Sequence, residues 1–155
     1  MTSLLLVALL ALVPVSAVAA DIERPTDYRD WTHVKSMVIL PGHPLADAFG
    51  GLHHVYVNDT GRPALARGGP YPDGTVFVFE LFASEERDHA FVAGPRKVTA
   101  VMVKDADQFK STGGWGFQAF EPGSSRGIVK DATKECFDCH RSQEKNDFVF
   151  SRPEG

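Results

Sequence analysis

The chain has two cysteines, three residues apart and followed directly by a histidine: Cys136-Phe137-Asp138-Cys139-His140. On a helix, two thiols at that spacing lie about one turn apart, on the same side. C-x-x-C-H is the spacing that attaches c-type haem. Each thiol adds to one vinyl group of the macrocycle, and the imidazole of His140 becomes an axial ligand of the iron. A buried macrocycle then becomes part of the core, which constrains the fold more than any other feature of the sequence. Three other readings compete. A redox-active C-x-x-C disulfide would sit in a βαβ setting, which the flanking sequence does not offer. A structural zinc site needs four ligands, of which three are local here. The third alternative is a chance arrangement.

The opposite end of the chain agrees with the motif. Residues 1–20 carry no charged side chain and include the apolar run Leu4 to Val13. The run gives way to Ala17-Val18-Ala19-Ala20 before Asp21. An apolar core followed by an A-x-A-like site reads as a secretory signal peptide over residues 1–20. An uncleaved anchor is the alternative, but Pro14 interrupts the run and a membrane span wants about 20 apolar residues. Haem is attached to apocytochromes outside the bacterial cytoplasm, so both ends of the chain predict the periplasm. No stable membrane insertion is expected after cleavage. With both cysteines taken up by haem c, no disulfide remains to staple the fold.

Residues 21–155 have the size of a single domain. The formal charge of −4 lies wholly in this part. No basic patch is visible, so nucleic acid is not an expected partner. A mildly acidic surface would suit a basic redox partner protein, although −4 is ordinary and decides little.

Between the two ends the pattern is mainly that of strands. Residues 31–40, 53–58, 75–82, 97–104 and 115–120 are apolar, β-branched or aromatic, and they are bounded by turn residues. In the third segment Thr75, Phe77, Phe79 and Leu81 share one face, and Val76, Val78, Glu80 and Phe82 the other. Glu80 is its only charge, so both faces are expected to be covered. Helical signals are fewer: a short helix at 24–31, one turn at 45–49, and a helix over 131–145 capped by Asp131 and carrying the haem motif. The fold class is therefore mainly β (α+β), an antiparallel sheet of about five strands with short helices. Small c-type cytochromes are usually helical, so this is a different architecture.

Several pieces, taken in order, resemble the cytochrome P-460 family. They are Trp31 to Lys35, His54 to Asn58, Pro72 to Val76, Val103-Lys104-Asp105, Gly113 to Phe117, the Cys136-x-x-Cys139-His140 motif, and Asp147 to Phe150. The resemblance implies one pentacoordinate c-haem, His140 as the proximal ligand, and usually a homodimer. Members that oxidise hydroxylamine carry a lysine cross-linked to the macrocycle, after a Gly-Thr-Val-x-Val run. Here Gly74-Thr75-Val76-Phe77-Val78 is followed by Phe79, which has no amine to form that bond. Those members also carry a distal carboxylate, and its place falls near Ala100. Both departures point to the branch that resembles cytochrome c′-beta, whose distal face is capped by phenylalanines. Phe79 is the first candidate for the cap and Phe49 the second.

An apolar cap leaves no sixth ligand and admits neutral diatomics such as NO and CO. The expected function is binding, scavenging or carriage of such a gas. The alternatives are a six-coordinate electron-transfer cytochrome c and a hydroxylamine-oxidising cytochrome P-460. Among possible sixth ligands, His33, His43, His53, His54, His89 and Met37 are ordinary surface or core residues unless placed otherwise. Met102 lies on a strand expected to line the pocket and stands out. Arg62, Arg67 and Arg96 could pair with haem propionates. Trp115 and Phe117 read as core or haem-packing residues, and Glu144 as a helix charge facing solvent.

Overall fold

Each strand pairs antiparallel with the next in sequence, so the sheet is a plain five-stranded meander. The computed structural model describes residues 21–152, and the expected signal peptide lies outside the described residues. The strands are β1 (Thr32–Ile39), β2 (Gly51–Val57), β3 (Val76–Arg87), β4 (Ala90–Lys104) and β5 (Trp115–Phe120). All five expected strand segments are present, and the helices are short, as the pattern required.

The register defines two faces. Val57, Phe77, Met102 and Phe117 form one cross-strand row, and Val55, Phe79, Ala100 and Ala119 the next. These rows make the inner face, whose core includes Tyr71, Trp115, Phe137 and Val149. Edge-on ring contacts tie it together, with Tyr71 5.2 Å from Phe77 and 5.8 Å from Trp115. Such pairs contribute about 0.5–1.5 kcal/mol each beyond their burial. Outer-face residues Val78, Val101 and Phe120 are buried under Tyr28, with Ile22 and Trp31 packed beside them.

The expected helix at 24–31 is a single 3-10 turn, Tyr28–Asp30. Pro25 provides no N–H, and the segment is short. It gains more by lying along the outer face with Tyr28 buried than by closing helical turns.

Strands β3 and β4 run further than their apolar patterns. Ser84 to Arg87 pair with Ala90 to Ala93, beyond the ends of the neighbouring strands. A two-residue turn closes this ribbon, with Asp88 at φ 50° and His89 at φ 64°. Aspartate and histidine tolerate that left-handed region better than most residues. The ribbon lacks a buried face, so its sequence shows no alternation.

Loops are fixed by side chains. Asn58 Oδ1 accepts the N–H groups of Gly61 and Val76, both at 3.1 Å, and its amide donates to the Gly74 carbonyl at 2.9 Å. The turn cluster after β2 is thereby joined to the start of β3. Two one-turn helices, α1 (Ala46–Phe49) and α2 (Arg62–Leu65), complete the connections; α2 carried no clear signal in the sequence.

Candidate functional site

The C-terminal helix changes pitch along its length and kinks at Gln143, whose φ is −104°. A π-helical turn spans Thr133–Phe137, an α-helical turn Asp138–His140, and a 3-10 stretch Arg141–Asn146. Asp131 caps it as expected, accepting the Lys134 N–H at 3.2 Å. Glu135 reaches back and accepts the N–H groups of Lys130 at 2.9 Å and Asp131 at 2.6 Å. These bonds satisfy donors that a helix start otherwise leaves open. Cys136 lies on the π turn, while Cys139 and His140 lie on the α turn. Local widening of this kind recurs at functional sites.

Cys136 is half-buried and Cys139 exposed, and no disulfide joins them. Burial pushes the Cys136 thiol up to about 11, assisted by Glu135 and Cys139. A redox-active cysteine needs surroundings that stabilise its thiolate, and here they favour the thiol. Among the described residues, no group of three or more His, Cys, Asp or Glu side chains is arranged to hold a metal ion.

His140 is oriented by its surroundings. Its Nδ1 lies 2.8 Å from the Phe148 carbonyl oxygen. A carbonyl only accepts, so Nδ1 carries the proton and Nε2 presents its lone pair. Phe117 and Phe150 flank the ring at 5.0 Å each. Burial holds His140 below the ordinary histidine value, and the bond to Phe148 only partly opposes this. A neutral, oriented imidazole with a free Nε2 is the donor that a haem iron takes.

The inner face beside this helix suits the macrocycle. Phe79, Ala100 and Met102 are only partly buried, although they stand on the central strands β3 and β4, and Ala119 beside them on β5 is partly buried too. Their outer-face neighbours Val78, Glu80, Thr99, Val101 and Phe120 are buried. Around Phe79 and Ala100 the outer side is thus covered while the inner side keeps a partly open apolar strip, and Cys136 packs against the same inner cluster. These residues fit haem.

The structure brings Phe79 and Phe49 together. Their rings meet edge-on at 6.2 Å, with Phe49 at the end of α1 and 38% exposed. Ala100 stands directly opposite Phe79 in the β3–β4 register, so these two positions are neighbours.

Sequence reasoning gave His53 no special weight. It is 2% exposed, and its ring meets that of Phe79 edge to face with 4.8 Å between the ring centres. Its Nε2–H donates to the Phe49 carbonyl at 2.5 Å, and Nδ1 is buried without a partner. Period-two counting from Phe79 through Val55 would have placed His53 on the inner face.

Burial lowers the pKa of His53, with Lys97 and His54 adding to the effect. The unfolded chain therefore takes up a proton near the ordinary value of 6.5 that the fold resists. Stability from this group is complete above that pH and declines as pH falls below it. Urea midpoints measured either side of it should show this slope, and His53→Leu should flatten it. An unchanged slope in the variant would assign the effect elsewhere.

The other candidates are occupied. His33 and His54 share the Ser36 hydroxyl, at 2.9 and 2.7 Å, on the exposed side of β1 and β2. His43 accepts the Leu45 N–H, and His89 sits in the exposed β3–β4 turn. Met37 is 36% exposed. Met102 lies on the inner face between Phe77 and Phe117. Arg62 pairs with Asp59 at 3.5 Å, and Arg67 donates to the Pro63 carbonyl. Arg96 is turned to the outer face, where it donates to the buried Glu80 carboxylate at 3.2 Å. Glu144 is exposed, and Trp115 is wholly buried.

An antiparallel meander with a motif helix against its partly open apolar face defines a β-sheet haem protein. The chain belongs to the cytochrome P460 family: the family model described as Cytochrome P460 matches residues 25–151. No curated protein matches the chain. Membership implies a haem cofactor, and no described helix is long and apolar enough to cross a membrane.

Proposed function

We propose that this chain is an exported c-type haem protein whose iron is five-coordinate and whose open side faces phenylalanine, and that it binds NO or CO. The observation that carries the reading is the phenylalanine pair on the inner face, where Phe79 is set beside Phe49 and opposite Ala100. On that same face His140 stands as an oriented imidazole against Phe117. In this reading His140 takes one side of the iron and the pair, at the position of the cross-linking lysine, covers the other.

The residues divide the work. Cys136 and Cys139 would hold the macrocycle through two thioether links, each thiol adding its sulfur to one carbon of a vinyl group and its proton to the other. His140 presents Nε2, held by the Phe148 carbonyl. Phe79 and Phe49 offer no hydrogen bond to a bound ligand and restrict its size, which favours small neutral diatomics. Haem iron, when bound, supplies one open coordination position and a one-electron couple. The physiological setting in this reading is NO scavenging or carriage in the periplasm by a homodimer, with a redox protein as electron partner.

Optical spectra of the purified holoprotein test the proposal, recorded oxidised, reduced, and reduced with CO or NO. The expected result is a high-spin five-coordinate spectrum that shifts on adding either gas. A low-spin spectrum indifferent to CO would overturn it in favour of an electron carrier, with Met102 the first ligand to replace. A red-shifted band of lysine-linked haem would instead identify a hydroxylamine-oxidising enzyme.

A further inference from the structure

The C-terminal helix ends in two consecutive residues with left-handed backbone, Asp147 at φ 49° and Phe148 at φ 65°. Residues with a side chain avoid that region, so the surrounding structure must hold them there. Asp147 is held at every polar atom. Its Oδ1 lies 2.9 Å from Lys104 Nζ. Its Oδ2 accepts the Tyr71 N–H at 2.8 Å, and its carbonyl accepts the Trp115 indole N–H at 2.8 Å. Its own N–H donates to the Glu144 carbonyl at 3.0 Å.

Lys104 is equally committed. It is 9% exposed, donates to the Gly113 carbonyl at 3.2 Å, and holds its ammonium 5.0 Å from the centre of the Trp115 ring. The chain closes tightly around this corner. A Cβ on Gly69 would come within 2.9 Å of Asp147 Cβ, and one on Gly113 would collide with the Phe148 ring. Three separate segments therefore converge on Asp147: the end of β4, the loop before β3 and the start of β5. One residue further on, the Phe148 carbonyl accepts the His140 Nδ1–H at 2.8 Å.

We propose that Asp147, with Lys104 as its counter-ion, is the positioning residue for the haem's axial ligand. It fixes the Phe148 carbonyl where that oxygen accepts the His140 proton, and so sets how strongly Nε2 donates to iron. A hydrogen bond at Nδ1 raises the electron density of the ring and its strength as a ligand. Two sequence pieces far apart in the chain, Val103-Lys104-Asp105 and Asp147 to Phe150, thereby acquire a joint role. The inference rests on the reading of His140 as axial ligand.

The test is resonance Raman spectroscopy of the ferrous holoprotein, with the reduction potential measured alongside, for Asp147→Ala, Asp147→Asn and Lys104→Gln. A weaker Phe148–His140 bond makes a poorer donor, which stabilises ferric iron less. The iron–histidine stretch should move to lower frequency and the potential should become more positive. The order should be Asp147→Ala furthest, then Asp147→Asn, which retains an acceptor for Tyr71, and Lys104→Gln. If Asp147→Ala does not fold, the other two variants carry the same reading. Thermal destabilisation with an unmoved stretch and potential would make Asp147 purely structural and overturn the proposal. Absence of an iron–histidine band in the unmodified protein would instead overturn the five-coordinate reading on which this one rests.

Discussion

Replacing both Cys136 and Cys139 with serine is expected to abolish covalent haem completely. The intact mass should then equal that of the polypeptide alone, and acidified acetone should extract whatever haem the protein retains. The change is all-or-none because a serine hydroxyl is far less nucleophilic than a thiol and does not form the thioether. Each single variant should retain one link and hold its haem through denaturing electrophoresis. His140→Ala separates attachment from ligation: covalent haem should persist while the optical spectrum loses its histidine-ligated form. Covalent haem in the double serine variant would sink the assignment of the motif.

Glu80→Ala is expected to produce a large loss of stability without touching the haem motif. Glu80 is 1% exposed on the outer face of β3. Its Oε1 accepts the Tyr28 hydroxyl at 2.7 Å, Arg29 at 2.8 Å and Arg96 at 3.2 Å. Burial by itself would raise its pKa, but the bonds from Arg29, Tyr28 and Arg96 outweigh burial and hold it below the ordinary carboxylate value. Removing the carboxylate leaves Arg96 uncompensated beneath the N-terminal segment and the Tyr28 hydroxyl without its acceptor. Breaking a buried charge cluster on one side costs about 3–5 kcal/mol. Arg29 is largely exposed and recovers water, so the lower end of that range applies. For a domain of this size the melting temperature should fall by roughly 10 °C. Since the folded carboxylate has the lower pKa, its contribution is complete above the unfolded value and fades as pH falls toward the folded one. The Glu80→Ala variant should therefore lose less stability on acidification than the parent. Haem spectra should change little, because Glu80 lies on the sheet face opposite Phe79. A variant as stable as the parent would mean that the cluster contributes nothing net.

How much was visible in advance depended on the range of the interactions involved. The helix with Asp131 at its start was legible because a cap acts within one turn. Strand β3 was legible because a nearly unbroken apolar run reports a strand covered on both faces. The outer ribbon from Ser84 to Ala93 was not, because two strands in solvent need no apolar pattern. Nor was the turn at Tyr28, whose conformation is decided by the sheet beneath it. The residues of the motif were fixed by local chemistry, whereas their surroundings were not.

By itself the sequence determined the C-x-x-C-H motif at Cys136 to His140, the antiparallel mainly β class and the absence of a lysine at position 79. These follow from spacing, periodicity and residue identity, which act over a few neighbouring positions. Tertiary structure alone decided that Phe49 meets Phe79, that Arg96 serves Glu80, that His53 lies buried on the inner face, and that Lys104 and Asp147 brace the carbonyl facing His140. Each of these unites side chains from separate elements. A contact of that kind depends on sheet register and loop path, which no local pattern encodes.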